Sequence, residues 1–313
     1  MWVLRDQFAV ADVSGWDVIA DETSGSEEKY WLREPDGEQK WLFKAVRVRG
    51  DHVHGEDWAE KAVAHLAGLL GVPCARIELA DMGRSRGLIS ADLCPRFYEL
   101  QHGQILLEDR GAEGYEHRTG GRSHPGHSLE NIRAALSDVD ALPPTGCDLP
   151  FDGSAFDLFA GFLVLDAWVA NTDRHDNNWA VLRPKKRSDG APMRLCGSYD
   201  HASSLGFNVC DDQCRRLLEN GEAAIKAWCG RGYGHRFDLG PGPGRRTLVD
   251  LAVKGLSLAS DAARKYWPRQ LREVDEHEVR RVLDRIPRMS DPARRFAMSV
   301  LDVNGRRVLD AVA

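Results

Sequence analysis

Residues 156–169 are the most apolar stretch of the chain, interrupted only by Asp157 and Asp166. A helix of that length falls short of the roughly 30 Å of a bilayer's hydrocarbon, so the segment reads as a core helix. The 313 residues, 42% hydrophobic and 29% charged, are enough to enclose it without disulfides or structural metals. They also exclude a disordered chain and a coiled coil.

Upstream, residues 16–19, 30–32 and 41–48 are short apolar runs rich in aromatic and β-branched residues, separated by turn signals. They predict an antiparallel meander of three strands. Ala59, Val63, Leu66, Ala67 and Leu70 then follow the spacing of one helical face over residues 56–70, and Gly71 with Pro73 supplies the stop. Residues 75–80 and 87–91 read as two further strands. A Gly, His and Arg-rich stretch at 110–127 lacks periodicity and is expected to be a surface loop connecting two lobes. Helices are expected at 129–136 and 154–170 and in several amphipathic segments from Asp212 to the end. One strand pair, 179–182 with 193–196, interrupts them. The expected architecture is α+β and bilobal: residues 1–109 a small β-rich N-lobe, 110–127 the connection, and 128–313 a larger helical C-lobe.

The buried helix leads into Asn171-Thr172-Asp173-Arg174-His175-Asp176-Asn177-Asn178. Asp173 and Asn178 have the D-x-x-x-x-N spacing of a kinase catalytic loop, where the Asp accepts the proton of the acceptor hydroxyl and the Asn oxygen binds magnesium. Taken alone, the spacing also suits a turn network bonding nearby backbone amides. Beyond the hairpin, Asp200 follows a strand, where a second acid would chelate the metal. Lys44 ends the apolar run Trp41-Leu42-Phe43 and is placed to reach nucleotide phosphates. Glu60 on the next helix is its expected ion-pair partner, and Glu56 is the alternative that helical spacing leaves open. The turn from Thr23 to Lys29, with Ser24, Gly25 and Ser26, stands where a phosphate-covering loop belongs, although its single glycine matches no phosphate-loop pattern. His175 is read as a supporting residue that holds backbone groups.

These residues resemble the HipA-like serine/threonine kinases, from about Trp16 to Gly206. The resemblance is carried by the Ser24-Gly25-Ser26-Glu27-Glu28-Lys29 turn, the Lys44 strand, the Glu60 helix, Asn171-Thr172-Asp173-Arg174-His175 with Asn178, and Tyr199-Asp200. It implies a bilobal protein-kinase-like fold, ATP and Mg2+ as cofactors, Asp173 as acid/base, Asn178 and Asp200 as metal ligands, and Lys44 on the phosphates. It further implies a protein acceptor such as a translation factor, an antitoxin-type regulator, and self-inhibition by phosphorylation at Thr23, Ser24 or Ser26. Many toxins of that family carry an extra N-terminal subdomain, whereas here the first nucleotide-lobe strand is expected at Trp16. The region after Arg231, including Gly232-Tyr233-Gly234-His235, corresponds to nothing in the resemblance and is where substrate choice would lie.

The same acid, amide and second acid also serve small-molecule or lipid phosphotransferases. A pseudokinase binding module would be expected to have lost Lys44, Asp173, Asn178 or Asp200, and all four are present. A formal net charge of −6 argues against direct nucleic-acid or membrane binding. Seven scattered cysteines and no signal-peptide pattern predict a cytoplasmic protein, and no metal site is expected at Cys210 and Cys214.

Overall fold

A computed structural model of the chain describes residues 7–21, 29–35, 37–117, 124–185, 190–238 and 246–313. The fold is α+β, with a β-sheet N-terminal region and a helical C-terminal region. The first region holds β1 (Val10–Asp12), β2 (Asp17–Asp21), β3 (Lys29–Arg33), β4 (Lys40–Ala45), β5 (Val48–Arg49), β6 (His52–Val53), α1 (Glu56–Leu70), β7 (Ile77–Met82) and β8 (Ser85–Ala91). Six strands form one sheet in the order β1-β7-β8-β4-β3-β2. The expected meander is β2, β3 and β4, antiparallel, with Leu32 opposite Trp41. Leu32, Trp41, Phe43, Ala80 and Ile89 alternate inward from these strands to build a small core. Strand β1, too short to signal itself by pattern, pairs in parallel with β7.

Helix α1 matches the expected span, and Gly71 closes it in the left-handed conformation at φ 81°. It is buried on more than its apolar face: Asp57, Glu60 and Lys61 are also covered. Asp57 receives Arg86 at 2.7 Å and Arg288 at 3.3 Å, and Arg288 also reaches Asp81 at 2.6 Å. Arg288 precedes the last helix, so the far end of the chain is tied to the back of α1.

The remaining elements are β9 (Tyr98–His102), α2 (Gly103–Asp109), α3 (Leu129–Asp138), α4 (Ala155–Val169), β10 (Ala180–Pro184), β11 (Arg194–Leu195), α5 (Asp211–Glu219), α6 (Gly221–Cys229), α7 (Leu248–Leu258), α8 (Asp261–Glu273), α9 (Glu276–Asp284) and α10 (Asp291–Ala311). The expected hairpin is β10 with β11, but β10 also pairs antiparallel with β9, from Tyr98 opposite Pro184 to His102 opposite Ala180. Strand β9 thus belongs to the three-stranded sheet with β10 and β11. The chain leaves the six-stranded sheet at residues 92–97, because the hydrogen bonds of β9 go to the helical side. Residues 110–117 follow α2, and residues 124–128 lead into α3.

All 15 residues of α4 are buried. Phe159, Leu163, Trp267, Leu251 and Leu301 share one core with Ala59 and Leu66 of α1. The two acids within the apolar run are both satisfied. Asp157 completes a capping box with Ser154 and accepts the Ser260 amide at 2.7 Å, while Asp166 pairs with Arg174. Gly161 is required by packing, since a Cβ there would lie 2.5 Å from the Trp267 ring. The seven cysteines are free thiols. Among the described residues no helix is long and apolar enough to cross a membrane.

Candidate active site

Between the six-stranded sheet and the helical region lies a cleft of about 1060 Å³. Ile19, Trp31, Leu42, Leu93, Leu100 and Tyr199 give it apolar walls, and Lys44, Asn178 and Asp200 stand at its polar end. The β4 register places Lys44 here, with Phe43 turned to the opposite face and buried. Lys44 Nζ lies 3.0 Å from Asp200 Oδ1 and 3.3 Å from Glu60 Oε1. Glu60 is therefore its helix partner. Glu56 instead accepts the Arg47 amide at 2.6 Å.

Burial opposes the charge on Lys44, yet the adjacent Asp200 and Glu60 carboxylates outweigh it and hold its pKa above the ordinary lysine value. Burial likewise raises Asp200, but Lys44 reverses the balance and leaves its pKa below the usual carboxylate range. Glu60 moves upward because burial, the larger cause, exceeds its attraction to Lys44. Asp200 sits at φ 60°, a left-handed conformation that Asp tolerates better than most residues and that marks a constrained loop.

The loop after α4 begins at Ala170, itself left-handed at φ 58°. Asp173 is held through its backbone: its N–H donates to Asn171 Oδ1 at 3.1 Å, and its carbonyl accepts from the His175 amide at 2.8 Å and from Asn178 Nδ2 at 2.8 Å. Since Nδ2 makes that bond, the Asn178 amide oxygen remains the available hard donor beside Asp200 in the cleft. His175 Nδ1 accepts the Asn177 amide at 3.2 Å. The expected phosphate-covering residues Ser24, Gly25 and Ser26, and Thr23 with them, lie outside the described residues.

Four further residues surround these groups, and local sequence pattern gives none of them a role. Arg174 is buried and makes two bonds to Asp166 at 2.7 and 2.8 Å, one to the Asn178 carbonyl at 2.8 Å and one to Ser198 Oγ at 2.9 Å. It joins α4, the loop after it and the segment before Asp200 into one unit. His201 is fully buried with Nε2 facing Ser198 Oγ at 2.7 Å and Arg174 at 3.2 Å. Burial first and Arg174 second keep it neutral, well below the ordinary histidine pKa. Arg236 lies against Asp173, and His127 fixes the Arg236 carbonyl. The eight-residue run of polar residues was the one signal that pointed towards Arg174; nothing local distinguishes the others.

His127 is held in one tautomer. Nδ1–H donates to the Arg236 carbonyl at 2.7 Å, and Nε2 accepts from Trp179 Nε1–H at 3.1 Å, so a second proton would be forced against the indole N–H. Burial lowers its pKa to about 4. The unfolded chain gains a proton near pH 6.5 that the folded chain refuses until about pH 4. Stability is therefore full above pH 6.5 and falls as pH decreases towards 4, by about 3 kcal/mol from this group. Urea midpoints measured across this window should fall less steeply in His127→Phe, which keeps the ring but not the nitrogen. Parallel profiles in the two proteins would refute a buried neutral His127.

Neither the comparison with family models nor that with curated proteins gives a match. Solved structures do. The proinflammatory kinase CtkA of Helicobacter pylori superposes with a TM-score of 0.71 at 17% identity, over 97% of each chain. The chain has the fold of CtkA. HipA from the Shewanella oneidensis MR-1 toxin–antitoxin system, solved with HipB and operator DNA, superposes with a TM-score of 0.53 at 14% identity, over 94% of this chain and 68% of HipA. The CtkA fold thus agrees with the α+β, kinase-like architecture expected from the strand meander, the Lys44 strand and the loop after α4.

Proposed function

We propose that the chain is a HipA-like kinase that transfers the terminal phosphoryl group of ATP, with Mg2+, to a serine or threonine hydroxyl of a protein. The observation that carries this reading is Lys44, bound at once to Glu60 and Asp200 on the wall of a cleft that also presents Asn178. In this reading Lys44 contacts the nucleotide phosphates, Glu60 holds the ammonium in place, and Asp173 accepts the proton of the acceptor hydroxyl as the new O–P bond forms. Asn178 and Asp200 offer the oxygen donors that suit a hard cation and would hold Mg2+, which when bound supplies positive charge against the phosphate oxygens. The apolar walls receive the base, and residues 92–97 pass between the lobes. A protein acceptor such as a translation factor, a cytoplasmic location, an antitoxin-type regulator and self-phosphorylation at Thr23, Ser24 or Ser26 belong to the same reading; HipA of Shewanella, solved with HipB, supports the regulator.

Incubation of the purified chain with labelled ATP and magnesium, alone and with host lysate, followed by phosphosite mapping, tests the activity and the acceptor class. Label confined to small molecules or lipids would point to the alternative phosphotransferase. The metal assignment has its own test. Thermal-shift titrations with ATP should show a magnesium-dependent gain in the wild type that shrinks in Asp200→Ala and in Asn178→Ala. An unchanged gain in both variants would remove these residues as metal ligands.

A further inference from the structure

Arg236 lies in the segment after Arg231, where the sequence singles out no residue for the phosphoryl-transfer site, yet its Nη2 is 2.6 Å from Asp173 Oδ1. That oxygen is buried and has no hydrogen-bond partner among the described residues, so what holds it is the ion pair with the guanidinium. Asp173 has two carboxylate oxygens, and its backbone N–H and carbonyl are already bound within the loop. With Oδ1 against Arg236, Oδ2 is the oxygen left to meet an acceptor hydroxyl.

Arg236 is itself built into a platform. Its carbonyl accepts from His127 Nδ1, and its Nη1 donates to His124 Nε2 at 3.3 Å. The next ring, Phe237, stacks on His127 with centroids 4.7 Å apart. Two residues on, the Asp238 amide donates to the His127 carbonyl at 2.9 Å, while its carboxylate accepts the Gly126 amide at 2.8 Å. Gly126 is in the left-handed conformation, and a Cβ there would stand 2.3 Å from the Tyr115 nitrogen, so the approach requires glycine. Residues 124–127 and 236–238 are thus joined by four hydrogen bonds and a ring stack around a fully buried histidine. An arginine anchored on both sides of its Cα is a fixed support for Asp173, unlike a surface side chain that samples many rotamers.

We infer that Arg236 is a positioning residue for Asp173: set in place by His127, it holds Oδ1 and so aims Oδ2 at the acceptor hydroxyl. The inference rests on the proposed kinase reading. On transfer, Oδ2 takes the hydroxyl proton while the acceptor oxygen bonds to the phosphorus and the bond from phosphorus to the leaving diphosphate oxygen breaks. Arg236 takes part in none of these bond changes. Losing it should therefore slow turnover while nucleotide binding persists.

The test uses the full chain, ATP with magnesium, and either self-phosphorylation or dephosphorylated casein as the acceptor readout. Arg236→Gln is expected to lower kcat by about 10- to 100-fold, the scale on which misplaced catalytic groups act, with the KM for ATP within about twofold of wild type. Arg236→Lys, which restores the charge but not the planar fork, should recover part of that loss. An unchanged kcat in Arg236→Gln, or a rise in the KM for ATP that accounts for the whole effect, would overturn the inference. A stability cycle of Arg236→Gln, Asp173→Asn and the double variant needs no turnover: losses in Tm that do not add show the pair in solution, and strictly additive losses refute it. If the pair is coupled but the wild type, although binding ATP, phosphorylates nothing, the kinase reading fails and the positioning role with it. Coupling with an active wild type and an unaffected Arg236→Gln overturns the positioning role alone.

Discussion

Asp173→Asn is expected to lower phosphotransfer at least about 100-fold, the usual scale for losing a positioned acid or base, with ATP affinity retained. The separation of the two effects follows from how the loop is held. Asn171, His175 and Asn178 bind the backbone of residue 173, so its side chain is not part of the framework that shapes the cleft. The substitution is nearly isosteric and removes the charge that, in the proposed reading, takes the proton. Lys44, Glu60 and Asp200 remain joined to one another. Initial rates against ATP concentration, with a thermal-shift titration for binding, measure both quantities. A variant within threefold of the wild-type rate would show that Asp173 is not the base.

Asp166→Ala is expected to cost about 3–5 kcal/mol of folding stability, because it strands the Arg174 guanidinium in a dry site. Both side chains are almost fully covered, and the two bonds between them are 2.7 and 2.8 Å long. The expense lies in the unpaired charge rather than in the pair's own net attraction. Replacing both partners, as Asp166→Leu with Arg174→Met, should therefore be less destabilising than Asp166→Ala alone. Asp166→Asn provides a milder variant should the alanine protein fail to accumulate. Urea unfolding of the three proteins decides it: a loss below about 1 kcal/mol in Asp166→Ala, or a double variant weaker than the single, contradicts a buried charge pair. The loop should loosen in step, since Arg174 also holds the Asn178 carbonyl.

Much of the fold was legible because it rests on local patterns. Alternation over a few residues marks half-buried strands, and it located β2, β3 and β4, together with the strand that delivers Lys44. Three-four spacing with a glycine stop gave α1 its span, and an apolar run without a polar face could only be a helix enclosed on all sides, as α4 is. The order of lysine, loop acid, amide and second acid along the chain was enough to gather Lys44, Asp173, Asn178 and Asp200 as one candidate set.

What lay beyond sequence were choices made by groups distant along the chain. Glu56 and Glu60 are one helical turn apart, so periodicity treats them alike. Only the packing of α1 against the sheet turned Glu60 to Lys44 and gave Glu56 to the Arg47 amide. Strand β9 carries no signal that it will pair with β10 rather than extend the larger sheet, and on that pairing depends where the chain passes between the lobes. Arg236 reaches Asp173 across 63 positions, and His127 reaches Arg236 across 109. Local periodicity records whether a residue faces core or solvent, and it carries no information about which remote charge will neutralise a buried one. The residue types that the proposed phosphoryl transfer needs were therefore readable in the sequence, whereas the groups that surround and pair with them were decided by tertiary packing.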